Sequence, residues 1–287
     1  MKIGFIGLGI MGEAMCGRIV AGHDDTVYCY DVDPARTALL AEKGAVPCEN
    51  GVELAEKSDV IITMVPKSEH VKAVYTSLLP VLGRGKICID MSTIDPDVSL
   101  EVAAMVKKTG ADFADAPVVK SRPAAEKGEL GILVGCDDAL FPAIRPVLAY
   151  MGRNIIRMGE NGMGIVMKIC HNSLVGQIQN GVNETMCLAR RYGISPEDFH
   201  TAVAYGGAQN FYLDGQWEKL RDEDWTTAFS IDNMRKDAHI AMRMAAEQGF
   251  AMPGAANVMR VYDEAAEKGL GREDFRATYK IVKEGKA

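Results

Sequence analysis

A chain of 287 residues, 25% charged and 48% hydrophobic, is long enough for a substantial core and two domains, with the composition of an ordinary globular protein. Its net charge of -7 argues against a nucleic-acid or membrane-surface partner. No apolar run reaches the ~18 residues that span a bilayer. Met1 and Lys2 lead straight into "IGFIGLG", which leaves no room for a signal peptide, and seven cysteines with no CxxC pair read as reduced intracellular thiols. A cytoplasmic protein without a metal site is expected.

In chain order, short β-branched runs at Lys2–Ile6, Thr26–Tyr30, Val60–Val65 and Lys86–Met91 predict strands. Helical patterns at Gly12–Val20, Pro34–Lys43, Ser68–Leu79 and Asp97–Lys108 separate them, which is the signature of βαβ units on a parallel sheet. Further strands are predicted at Ala111–Ala114, Gly131–Val134 and Asn154–Met158, with a helix at Asp138–Met151 before the last. At Gly162 the pattern changes, and a 3.6-residue period runs almost to the end. Breaks fall near 193–195, 205–208, 223–229, 249–253 and 269–271. From Gly162 to about Tyr192 nothing stronger than glycine interrupts it; roughly 30 residues of helix extend about 45 Å. Such a helix is either a bridge between domains or the core of an all-helical one. Lys168, His171, Asn172, Gln177 and Asn183 rule it out as a membrane span. The predicted architecture is an α/β Rossmann-type domain, residues 1–161, joined by a long helix to an all-α domain, residues 162–287.

The opening run places Gly7, Gly9 and Gly12 as GxGxxG between a strand and a helix. Gly7 permits the tight turn, Gly9 lets a pyrophosphate approach the backbone, and Gly12 lets the helix pack on the strand. Leu8, Ile10 and Met11 complete a loop whose amides face the phosphates at a helix N-terminus. Asp31, about twenty residues on, ends the second strand where an acid binds the adenosine ribose. An acid there repels a 2′-phosphate, and Val32 rather than arginine follows it. NAD is therefore expected over NADP, with Arg36 close enough to temper the preference.

"GFIGLGIMG", "MVP" (64–66), "DMSTIDP" (90–96), "DAPV" (115–118) and "GMGIVMKICHN" (162–172) occur in that order, and "FSIDNMRKDAHIA" and "MPGAANV" follow. With them the chain resembles, over essentially its whole length, the β-hydroxyacid dehydrogenase family. The resemblance implies that Lys168 is the catalytic acid/base and that Asn172 works beside it. The helix geometry agrees, because positions i and i+4 stack on one face. It further implies cofactor contacts at Met64, Val65, Pro66 and Thr93, and substrate contact at Ser92. Lys236 reaches toward the cofactor or the substrate, and a homodimer or homotetramer is implied. His171 packs or makes a supporting hydrogen bond, and Phe229 walls the pocket or belongs to the core. The implied reaction is hydride transfer between a nicotinamide and the carbonyl carbon of a small anionic aldehyde, with Lys168 giving the proton to the developing alkoxide. In reverse Lys168 must be neutral, a state that desolvation brings within reach.

One segment departs from the family pattern. Where relatives carry Ser-Gly-Gly after "DAPV", this chain has Val119, Lys120 and Ser121, then Arg122 and Pro123. Val119 keeps only its amide, Ser121 offers a hydroxyl, and Lys120 and Arg122 add charge, Arg122 being the one expected to face outward. A cation there suits a sulfonate or a second carboxylate, and the sulfolactaldehyde reductase branch is similar at this loop. The alternatives are a 3-hydroxyisobutyrate or tartronate semialdehyde type of enzyme and, from another class, a catalytically silent NAD-binding interaction module. An imine reductase lacks a lysine at this helix position, and the 6-phosphogluconate type is much longer.

Overall fold

The computed structural model describes residues 1–285; positions 286 and 287 of the predicted second domain lie outside them. The chain divides into two compact units, Met1–Lys168 and Ile169 onward.

The first unit alternates as the sequence predicts. In order come β1 (Ile3–Ile6), α1 (Ile10–Gly22), β2 (Val27–Tyr30), α2 (Pro34–Glu42), β3 (Val46–Pro47), α3 (Gly51–Lys57), β4 (Val60–Thr63) and α4 (Ser68–Leu78). They are followed by β5 (Ile87–Asp90), α5 (Pro96–Lys108), β6 (Asp112–Asp115), β7 (Val118–Val119), α6 (Arg122–Glu126), β8 (Leu130–Gly135), α7 (Phe141–Leu148) and β9 (Gly152–Gly159). Strands β3-β2-β1-β4-β5-β6 lie side by side and pair in parallel. β8 turns antiparallel against β6 and β7, and β9 pairs with β8 in parallel. All four residues of β1 and of β4 are buried, as strands covered on both faces require. From β1 the chain builds outward in one direction to β2 and β3, and in the other to β4, β5 and β6. The carboxyl ends of β1 and β4 therefore flank a topological switch point, where open α/β sheets bind ligands.

Four elements escape the sequence pattern: β3, α3, β7 and α6. Two are two-residue strands, too short for an alternation to register. α3 has only seven residues, and Asn50 caps it by accepting from the Glu53 amide. α6 has five, in a polar stretch without an apolar period.

The second unit is helical. α8 (Met163–Arg191) is the long predicted helix and runs through the division between the units. α9 (Pro196–Val203), α10 (Phe211–Arg221), α11 (Ile231–Glu247), α12 (Pro253–Glu267) and α13 (Tyr279–Glu284) follow, broken where glycines and prolines predict. Ser195, Asn210 and Ser230 start α9, α10 and α11 by accepting from amides three residues on. One apolar cluster gathers Ile231, Met234, Val258, Tyr262 and Ile281; another gathers Val182, Met186, Leu213, Leu220 and Tyr279. Among the described residues no helix is long and apolar enough to cross a membrane.

The division falls inside α8, not at Gly162 where the sequence pattern changes. The reason is local: Asp115 of β6 accepts from the amides of Gly162 and Ile165, so the first turn of α8 is fastened to the sheet.

Candidate active site

The glycine loop leaves β1 at the switch point. Gly7 has φ +94°, and a Cβ there would collide with the Met64 carbonyl. A Cβ on Gly12 would collide with the Gly7 carbonyl, so α1 can start this close to β1 only with glycine. A Cβ on Gly9 would meet nothing nearer than Arg36 Nη1, at 3.4 Å, which leaves the approach to this backbone open. No side chain caps α1. Ile10 is exposed and Met11 half-buried. Leu8 takes another role: it is buried, and its amide donates to Asp31 Oδ2 at 2.6 Å, so this amide is turned toward the acid and away from any phosphate. Asp31 Oδ1 accepts from the Asp33 amide, and Arg36 Nη1 lies 4.0 Å from Asp31 Oδ2. The acid is thus held in place at the end of β2, with a guanidinium beside it.

Met64, Val65 and Pro66 leave β4, and Ser92 and Thr93 leave β5, next along the same sheet end. Met64, Val65 and Thr93 are half-buried and Pro66 is exposed. Ser92 corrects an expectation. Its side chain is fully buried; its hydroxyl donates to Asp90 Oδ1 at 2.7 Å and accepts from the Val65 amide at 2.9 Å. It shapes the Met64–Pro66 loop rather than presenting a hydroxyl to substrate. Asp90 also accepts from Thr63 Oγ1, and burial pushes its carboxyl up to about 6.

Val119 forms β7 opposite Gly131 of β8. Leu133 donates to the Pro117 carbonyl, and the alternation of an antiparallel ladder then directs the Val119 amide to Gly131, so this donor is taken up by the sheet. The expectation that the amide stays available fails for that reason. Lys120 follows with φ +78°, a left-handed conformation that favours glycine and is here adopted by a lysine. Lys120 and Ser121 are both exposed. Arg122 is held elsewhere, by Glu126 at 2.8 Å and by Glu13 of α1 at 3.4 Å.

On α8, Lys168 and Asn172 are 8% and 6% exposed, one turn apart on the same helix. Asn172 Nδ2 donates to Asp237 Oδ2 at 2.7 Å, and Asn172 Oδ1 lies 3.2 Å from His171 Nδ1. Both ends of the amide are oriented, and one Nδ2 hydrogen remains to donate. Asp237 is 1% exposed, and its other oxygen lies 3.4 Å from Lys236 Nζ, on a side chain that is 27% exposed. Phe229 is partly buried against the core of the second unit, and its ring meets Phe275 edge-on.

Residues 2–159 match the family model described as the NAD binding domain of 6-phosphogluconate dehydrogenase. Residues 162–282 match the one described as NAD-binding of NADP-dependent 3-hydroxyisobutyrate dehydrogenase. The chain is 32% identical over 285 residues to 2-(hydroxymethyl)glutarate dehydrogenase of Eubacterium barkeri, covering 98% of this chain and 94% of that one. It is 31% identical over 281 residues to 2-hydroxy-3-oxopropionate reductase of Escherichia coli (strain K12), covering 96% and 95%. It matches 3-hydroxyisobutyrate dehydrogenase of Mycobacterium tuberculosis, solved with L-serine, at a TM-score of 0.90 and 28% identity over 98% of each chain. The chain belongs to the β-hydroxyacid dehydrogenase family. Like its relatives it is an NAD(P)-dependent oxidoreductase of the 3-hydroxyacid dehydrogenase and semialdehyde reductase class.

The cradle of this β-hydroxyacid dehydrogenase fits its dinucleotide: an uncapped helix start, glycines where a Cβ would collide or block access, and an acid fixed at the end of β2. Sequence reasoning passed over Asp90, Asp115 and Asp237. The first two are the last residues of the strands "ICID" and "DFAD", at the carboxyl end of the sheet where ligands gather, and that position was the available signal. Asp237 stood in view only as the neighbour of Lys236.

Proposed function

We propose that this enzyme uses NADH to reduce a small semialdehyde that presents a strongly anionic head group, either a sulfonate as in sulfolactaldehyde or a second carboxylate. A bound reduced nicotinamide supplies the hydride. Lys168, as ammonium, gives a proton to the carbonyl oxygen as it becomes an alkoxide. Asn172, aligned by Asp237 and His171, offers its remaining N–H to the same oxygen. In the oxidative direction a neutral Lys168 takes the proton back. Lys236 lies on the helix that bears Asp237 and adds a cation for the substrate or the cofactor. NAD is preferred because Asp31 is fixed beside the glycine loop, where it repels a 2′-phosphate.

Lys120 is the observation that carries the substrate class. With the Val119 amide taken up by β8, anion binding in this segment falls to Lys120 and Ser121. A lysine at φ +78° costs about 1–2 kcal/mol that glycine would not. A role for its ammonium accounts for a lysine at that cost. The Eubacterium barkeri relative is named for a glutarate, a dicarboxylate, which favours the second-carboxylate form of the reading.

The test is a panel of sulfolactaldehyde, tartronate semialdehyde, succinic semialdehyde, methylmalonate semialdehyde and a branched dicarboxylic semialdehyde, each with NADH and NADPH, followed by loss of nicotinamide absorbance. Preference for a singly charged carboxylate, or for NADPH, defeats the corresponding part of the proposal. Lys120→Gly should gain about 1 kcal/mol of stability and raise KM for the preferred substrate about tenfold or more. A variant that is more stable with KM unchanged shows that Lys120 has no part in binding.

The enzyme acts as a homodimer or homotetramer. Leu174 and Leu188 on α8 and Tyr192 just after it are exposed, as are Tyr205 and Phe211, and a second copy of the chain would cover such apolar side chains. Sedimentation equilibrium at micromolar concentration should show a multiple of the 31.1 kDa chain; a monomer rejects the assignment.

A further inference from the structure

Gly162 immediately precedes α8, with φ +89°, and has no side chain with which to cap it. The cap comes from the sheet instead. Asp115, fully buried at the end of β6, accepts from the Gly162 amide through Oδ1 at 2.7 Å and from the Ile165 amide through Oδ2 at 3.0 Å. Its carboxylate lies in a slot walled by two glycines. A Cβ on Gly135 of β8 would come within 2.5 Å of Oδ1, and one on Gly164 of α8 within 2.7 Å of Oδ2. The preceding residue is tied to the same strands: Asn161 Nδ2 donates to the carbonyls of Phe113 and Gly135. The turn into α8 is therefore gripped from β6 and β8 together.

We propose that Asp115 is the positioning residue for Lys168, its two oxygens fixing both the height and the rotation of the first turn of α8. Lys168 lies three residues beyond Ile165 and four beyond Gly164, so it shares their helix face. A single capping bond leaves a helix free to turn about that bond; two bonds to amides three residues apart do not. The carboxylate also complements the positive end of the helix. A misplacement of about 1 Å at a proton donor lowers turnover by roughly 10²-fold, which gives the grip a catalytic consequence beyond its capping. The inference rests on Lys168 acting as the acid/base.

Asp115→Asn tests it, because an amide offers one acceptor and turns its NH₂ toward the other backbone N–H. The expected result is a fall in kcat of about 10- to 100-fold, with KM for NADH changed less than about twofold. Hydrogen exchange should accelerate at the amides of residues 162–168 and not in β1 or α1. Gly164→Ala pushes the start of α8 off the sheet from the helix side, its Cβ colliding with the Leu133 carbonyl and coming within 2.9 Å of the Gly135 amide as well as 2.7 Å of Asp115 Oδ2; it should give the same split in kcat with a larger loss of stability, and the double variant should lose little more kcat than either single one. If Asp115→Asn fails to fold, Gly164→Ala carries the test. A loss in kcat matched by an equal loss of NADH affinity, unchanged exchange at 162–168, or multiplicative losses in the double variant overturns the proposal. If the wild-type protein turns over nothing in the substrate panel, the proposed function fails. The exchange data, together with the rate at which acetic anhydride labels Lys168 relative to Lys72, then decide the positioning claim separately: equal labelling ratios in Asp115→Asn and wild type refute it.

Discussion

Replacing Lys168 with methionine should lower kcat for semialdehyde reduction by about 10³-fold and leave NADH affinity within about threefold. Methionine matches the length and apolar stem of lysine but has no proton to give. Lys168 is 8% exposed, and methionine fills nearly the same volume, so the melting temperature should change little. That separates loss of chemistry from loss of fold. Turnover within about tenfold of wild type would mean that the proton comes from elsewhere, and the proposed role would be wrong.

Arg276→Met should destabilise the protein by about 3–5 kcal/mol, measured by urea denaturation. Arg276 and Asp274 are each 1% exposed. Arg276 Nε donates to Asp274 Oδ1 at 2.5 Å, Nη2 to the Thr226 carbonyl at 2.9 Å and Nη1 to Gln216 Oε1 at 3.2 Å. Asp274 Oδ2 accepts from the amides of Ala228 and Phe229 at 2.8 and 3.1 Å. A bare buried pair is often replaceable by apolar residues without loss. This one differs, because its carboxylate also satisfies backbone donors. Removing both partners, as Asp274→Leu with Arg276→Met, should therefore restore little, since the amides of residues 228 and 229 are left unpaired. The segment they hold leads directly into Ser230 and α11, which bears Lys236 and Asp237. A loss under about 1 kcal/mol would show the pair to be solvated in practice.

The composition of each strand and the spacing of the glycines determined the α/β-then-α architecture, the dinucleotide loop and the long helix that carries Lys168 and Asn172. These are local consequences: period 2 or 3.6, a turn that only glycine allows, a stack at i and i+4. The two-residue strands β3 and β7 and the short helices α3 and α6 escaped because they hold too few positions for their period to show. What only the tertiary structure decided was the destination of each polar group. Ser92 looked like a substrate contact and proved to join β4 to β5 beneath the loop. The Val119 amide went to β8, and the charge of Arg122 went to Glu13 and Glu126. Asp115 meets Gly162 across 47 residues, and Asn172 meets Asp237 across 65. No periodicity carries such pairings. A buried donor or acceptor must find a partner wherever the packed chain brings one within about 3 Å, and that choice is made by the arrangement of whole elements, not by neighbours in the sequence.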